Sequence, residues 1–244
     1  MERAAGAGPE AGNGAGNEVR QHLERAYAAS IRELEEAPAY ARLAAGQAAR
    51  AEYDALLLKL CETHLLSAHF VAFAFALAPP RAAASFQHNL LEELGADGGE
   101  AHPSLLVRLL VAAGLGGEEA AVRSAGRLRL EEKVLEPLFY GSLREVGLAA
   151  LVEIVGFELM LSRLASEMAG FLERYRGLSR DALAWFTHHS EVDVAHAEQG
   201  LDAIAEYVDH YRFERTDALA IVDTALERNI YVLRYFGPQA LALP

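Results

Sequence analysis

Cysteine is almost absent from this sequence: Cys61 is the single one in 244 residues. No internal disulfide can form, and a reducing compartment is the expected setting. Positive charge is also scarce. Lys and Arg number 22 against 35 Asp and Glu, a formal net charge of −13. Nucleic acid is therefore not an expected partner, because phosphate binding needs a basic face. An anionic membrane surface is disfavoured for the same reason. No basic stretch followed by an apolar segment marks the N-terminus as a signal peptide. The phenylalanine-rich apolar run from Phe70 to Pro80 is too short to span a bilayer as a helix. These absences together predict a cytoplasmic protein. The sequence also lacks an alternating strand pattern, an internal repeat, a Gly-rich phosphate loop and a nucleophile elbow.

What remains is rich in Ala, Leu, Glu and Arg, the residues of helices. Hydrophobic residues make up 52% and charged residues 23%, ordinary for a globule with a full core. Residues 1–17 are a Gly/Ala-rich tail without large apolar side chains, expected to be disordered. Residues 18–244 are expected to form a single helical domain. Periodicity and breakers predict helices at 18–35, 37–46, 48–77, 80–94, 103–114, 117–127, 130–139, 142–175, 179–212 and 215–234. Ser179 is the expected N-cap of the helix over 179–212. An all-α bundle is the simplest architecture.

The most informative segment is WFTHHSEVDVAHAEQGLDAI. At about 100° per residue, His189, Asp193 and His196 share one face of a helix. Two imidazoles and a carboxylate on one spot suit Fe, Mn or Zn. The surrounding apolar pattern places that spot inside the protein. Further ligands lie in two other segments. In the helix over 142–175, Glu153 and Glu158 are the only charged residues between Val146 and Leu161. A buried carboxylate needs a partner, a proton or a metal; the bland alternative is that one faces solvent or bonds a neighbouring helix. The segment NLLEELGADGGEAHP offers Glu92, Glu93 and His102. Alone it is weak, since glutamates at helix ends are usually solvated. Together the three segments offer a mixed Glu/His/Asp set of the kind that holds paired iron or manganese in helical bundles.

Three motifs, NLLEELG with the following HPSLL, then GFELML, then WFTHHSEVDVAH, resemble those of the heme-oxygenase-like diiron oxidases and oxygenases. That superfamily includes alkene-forming fatty-acid decarboxylases, N-oxygenases, amino-acid-fragmenting lyases and a para-aminobenzoate synthase. The resemblance spans roughly residues 60–212. It implies a heme-oxygenase-like bundle of about seven core helices and a metal site made of Glu92, His102, Glu158, His189, Asp193 and His196. Glu93 is the alternative to Glu92. Glu158 fits the family's spacing ahead of the last motif better than Glu153 does. The resemblance implies two irons, the second labile in some members, with manganese an option at one position. It also implies O2, an external electron donor and a small amphipathic substrate, either an amino acid or amine or a medium-chain fatty acid, in specialised metabolism. Relatives are often homodimers.

Other residues have weaker claims. Glu62 is a candidate for an extra carboxylate recruited to the metals, against an ordinary surface or capping role. His188 is expected to face away from the ligand spot, and Cys61 to be a buried apolar residue rather than a nucleophile. Arg163 or Arg212 would serve a substrate carboxylate. Phe70, Phe73, Phe75, Phe86, Trp185 and Phe186 are expected in the core, where they would keep water from the site. Two rival readings stand beside the metalloenzyme: a cofactor-independent enzyme of the same fold, thiaminase-like or resembling the quinone-cofactor maturation oxidases, and a non-enzymatic helical binding protein.

Overall fold

A computed structural model describes residues 14–236 except 97, 136 and 230. Residues 1–13, most of the expected tail, lie outside the described residues; the first helix takes in Ala15, Gly16 and Asn17. Among the described residues there are helices and no strands. The helices are α1 (Ala15–Glu36), α2 (Pro38–Ala44), α3 (Arg50–His64), α4 (Ser67–Leu77), α5 (Ala83–Glu93), α6 (His102–Ala112), α7 (Glu119–Leu135), α8 (Pro137–Tyr140), α9 (Leu143–Phe171), α10 (Ala184–His210), α11 (Arg215–Arg228) and α12 (Tyr231–Phe236).

The boundaries correct several expectations. The helix expected over 48–77 breaks at Leu65 and Leu66. Together Arg50–Leu77 is long and apolar enough to cross a membrane by length and composition, but here the two pieces put Leu56, Leu57, Leu60, Val71 and Ala74 into the protein core. The helices expected at 117–127 and 130–139 are instead the longer α7 and the single turn α8. The helix expected over 215–234 is α11 followed by α12. Ser179 does not cap α10. Its hydroxyl accepts from the Ala182 N–H inside a turn, and α10 begins only at Ala184. The end of the helix expected over 142–175 widens into a π-helical turn over Leu172–Arg176, closed by Gly177 in the left-handed region.

The long helices α9 and α10 form the antiparallel centre of the bundle, with α1 and α11 against them. Their register follows from the side chains that meet: the Tyr207 hydroxyl donates to the Arg144 carbonyl at one end, and Gly200 lies against Val155 further along. A Cβ at position 200 would come within 2.5 Å of Val155 Cγ2, so this glycine sets how closely the two helices approach. Ser142 caps α9 by accepting from the Glu145 N–H. From there α9 is apolar almost all round, as a helix buried by neighbours on every side must be.

The core divides in two. One cluster joins α2, α3 and α6 to the end of α9 and the start of α10; the other joins α1, α4 and α5 to the start of α9, the end of α10 and α11. Glu158 on α9 and the stretch from His189 to His196 on α10 fall where these clusters meet. The polar residues of the interior are therefore gathered between two apolar masses.

Candidate metal centre

The centre begins with the turn after α5. Gly95 adopts φ +67°, and the Gly95 and Ala96 N–H groups bond the Glu92 and Leu91 carbonyls. This is a Schellman stop, which favours glycine because a side chain strains the left-handed conformation. The chain then doubles back, and His102 opens α6 with Pro103 behind it, a position where a missing N–H costs nothing. The two helix ends are thus brought together: His102 Nδ1 stands 3.0 Å from Glu93 Oε1.

Against this pair comes α10. Glu93, His102 and His189 are all buried, and each offers a ligand atom, all within 4.8 Å of one another. His189 Nδ1 lies 2.7 Å from the Trp185 carbonyl, one turn back. A carbonyl only accepts, so Nδ1 carries the proton and Nε2 keeps the ring's lone pair, the tautomer a metal ligand requires. Glu93 is held from its other side by the Ser67 hydroxyl, which donates to Oε2 at 2.5 Å. The second part of the centre surrounds His196. Its Nε2 is 2.9 Å from Glu92 Oε2, and its Nδ1 is 3.7 Å from Asp193 Oδ1. Glu158 is partly buried and accepts a hydrogen bond from Asn89 Nδ2 at 2.5 Å.

All six expected ligands are therefore drawn toward one region, but they divide into neighbourhoods. Glu93, the alternative to Glu92, is the carboxylate that joins His102 and His189. Glu92 keeps company with His196 and, more loosely, His88. The residue Glu153 is resolved too: it is half-buried and pairs with Arg234 on α12, at 3.1 Å. His188 is turned from the His189 ring yet stays beside the ligand group. Its ring lies 4.6 Å from that of His102, because α6 approaches α10 from the side to which a 100° offset turns.

The electrostatics describe a centre short of positive charge. Burial, then the neighbouring Glu93, pushes Asp193 up to about 8. Burial, then Asp193, pushes Glu158 up to about 8. Burial and the nearby His102 hold His189 well below the usual imidazole range. Burial also pulls on His102, but Glu93, Asp193 and Glu92 outweigh it, and its pKa is raised. Among the described residues, Glu92 Oε2, His102 Nδ1 and Asp193 Oδ2 are buried without a hydrogen-bond partner. The short approaches to Glu92 and His102 are close in distance but off the axis of a hydrogen bond. Crowded carboxylates, a neutral His189 and orphaned polar atoms fit a divalent ion of the iron type, which would neutralise the acids and take the lone pairs.

A cavity of about 580 Å³ opens from this centre, within the range of small-molecule sites. Phe70 and Trp185, from the expected set of aromatics, line it; Phe86 and Phe186 are core, and Phe75 is exposed. The expected cations Arg163 and Arg212 both lie exposed on the surface. Arg129 and Arg234 line the cavity instead. Sequence reading gave no weight to them, since they come from α7 and α12, far from the motifs. It also passed over His64, buried at the cavity wall between Phe157 and Trp185 and bonded to the Tyr235 hydroxyl at 2.9 Å. Ser67 and Asn89 were no more visible, because their function lies in which carboxylate they meet. Glu62 lines the cavity too, tied to Lys59 and Arg129. Cys61 is fully buried, and burial pushes its thiol up to about 12, which argues against a nucleophile.

No curated protein matches the chain. A family model described as an iron-containing redox enzyme matches residues 55–229, a span that holds every residue of the centre and most of the cavity wall, though not Leu233 and Arg234. The donor set and the match agree, and with its all-α, heme-oxygenase-like bundle the chain belongs to the family of iron-containing redox enzymes.

Proposed function

We propose that this enzyme is an O2-dependent non-heme oxidase or oxygenase that holds two irons and oxidises a small amphipathic molecule, in the cytoplasm and with electrons from an external donor. The observation that carries the reading is the convergence of Glu93, His102 and His189 on one buried point. These three would hold one iron. Glu92, Glu158, Asp193 and His196 would complete the set for a second. Manganese at one position fits the same donors. Bound iron supplies redox electrons and Lewis acidity.

The chain's own residues do the rest. The Trp185 carbonyl fixes the His189 ring, Ser67 fixes Glu93 and Asn89 fixes Glu158, so the ligands are preorganised by neighbours. Trp185 packs on His189 with ring centroids 4.2 Å apart. With Phe157 and Phe70 it gives the cavity apolar walls that keep bulk water from the reacting end. The protons carried by Asp193 and Glu158 would leave as metal binds.

Anaerobic titration of the metal-free protein with Fe(II), followed by rapid mixing with O2, tests the reading. The expected result is about two irons per chain, as in other carboxylate-bridged bundles, and an O2-dependent visible transient. His189→Ala and Glu93→Ala should each lower the stoichiometry. Iron uptake unchanged in both variants, or turnover by metal-free protein, would overturn it and leave a cofactor-independent enzyme as the better account.

A further inference from the structure

The half of the cavity walled by α3, α7, α9 and α12 differs from the half that carries the metal ligands. Between them lie apolar side chains, among them Val71, Phe157, Leu161 and Trp185. Beyond these, charged residues return in opposite-sign pairs. Arg129 donates to Glu62 Oε1 at 2.7 Å, and Arg234 donates to Glu153 Oε1 at 3.1 Å. All four are half-buried. Glu132 and Glu227 also line this part, so acids outnumber the arginines Arg129, Arg228 and Arg234.

This pattern discriminates among ligand head groups. A carboxylate alone would add negative charge to a wall already rich in it. An ammonium alone would leave the arginines unused. A head group with both charges adds no net charge and can satisfy both members of a pair, which matters most where water is scarce. We propose that the cavity takes a zwitterionic α-amino acid with an apolar side chain, its carboxylate on Arg129 and its ammonium on Glu153. Which end of the ligand reacts rests on the metal-centre reading above; the recognition itself does not.

The two anchors differ in how they are held. Glu62 Oε2 is also bonded by Lys59 Nζ at 2.7 Å, so Glu62 keeps a counter-ion when Arg129 turns to a ligand. Among the described residues, the Arg129 guanidinium also makes a long contact, 3.5 Å to the Thr63 hydroxyl. Arg234 is pinned instead, with its guanidinium 4.9 Å over the Phe157 ring, and it serves to position Glu153. With the head group at these anchors, the apolar side chain runs past Phe157 and Trp185 toward the ligand cluster.

Trp185 is the only tryptophan, and it lines the cavity, so its fluorescence reports occupancy directly. The experiment titrates the full-length metal-free protein with L-2-aminooctanoate, octanoate and octylamine, three probes with one chain and different head groups. The amino acid should bind at least about tenfold tighter than either single-charge probe, the effect of one more charge-assisted contact. Arg129→Gln should cost the amino acid about tenfold and leave octylamine unchanged; Glu153→Gln should cost it similarly and leave octanoate unchanged or tighter. Octanoate binding as tightly as the amino acid would overturn the proposal in favour of a fatty acid. Equal losses for all three probes in both variants would overturn it in favour of a merely structural role for the pairs. Circular dichroism checks that the variants fold, and Arg129→Lys, which keeps the charge, should recover part of the affinity. Repeating the titration after anaerobic iron loading, with iron counted separately, keeps a failure of this proposal distinct from a failure of the metal reading.

Discussion

His64 carries no expected metal ligation, yet it is the most tightly controlled imidazole outside the centre. Burial, then the charges of Arg234 and Arg129, brings its pKa down to about 3. The folded protein keeps it neutral, while the unfolded chain protonates it near 6.5. The unfolded state therefore binds more protons in the window from about 6.5 to 3, and stability is complete above that window and lost as pH falls through it. Denaturant melts of the metal-free protein at pH 7 and pH 4 should show this loss, and His64→Gln should make it smaller; an unchanged difference would mean that other groups govern acid sensitivity. Tyr235→Phe removes the hydroxyl that meets His64 Nε2. Leaving that buried nitrogen unpaired should cost about 1–3 kcal/mol of stability, measured by the same melts.

At the scale of elements, the centre depends on how helices stop and start as much as on the ligands. The loop between α5 and α6 must return His102 to Glu93 within a few residues, and Gly95 makes the reversal. A Cβ there would sit 2.6 Å from the Ala101 N, and φ is +67°. Gly95→Ala should destabilise the protein by roughly 1–2 kcal/mol for the left-handed conformation alone, and more from the clash. Because the strain falls between two proposed ligands, Glu93 and His102, iron affinity should drop as well, while the spacing of α9 and α10 is untouched. Gly200→Ala would do the reverse. The added methyl presses on Val155 between the two central helices, and overpacking of this kind costs about 1–3 kcal/mol. A variant at 95 that loses stability but binds iron as tightly as wild type would show that the turn does not set the site.

For the molecule as a whole, the polar centre is a deficit of stability that a cation would make good. Four carboxylates and three imidazoles meet between two apolar clusters, and no lysine or arginine is among them. Fe(II) should therefore raise the melting temperature of the anaerobic metal-free protein in a dose-dependent way. The gain approaches about 2.7 kcal/mol when free iron exceeds its dissociation constant a hundredfold. His102→Ala should abolish most of that shift even where the variant folds. Ca(II), which prefers all-oxygen sites, should produce little of it; an equal shift with calcium would mean a generic acidic site instead of an iron centre.

The sequence by itself determined that the chain is helical, because apolar residues recur at helical spacing along almost its whole length. It also placed His189, Asp193 and His196 on one face, since spacing within a single helix is local geometry. Glu158 stood out because an acid in an apolar helix needs a reason. The helix breaks at Leu65 and at Asn229 were less legible, as strong local propensity runs through both and packing decides where such helices turn. The choice between Glu92 and Glu93 was beyond the sequence: adjacent residues point about 100° apart, and only the approach of α6 shows which one meets His102. The same holds for the cavity's charged pairs. Arg129, Glu153 and Arg234 lie on three different helices, and no spacing along the chain encodes a meeting between helices. Local periodicity gave the face of α10 that carries His189, Asp193 and His196; the path of the chain in three dimensions brought Glu92, Glu93, His102 and Glu158 to it and built the cavity wall beside it.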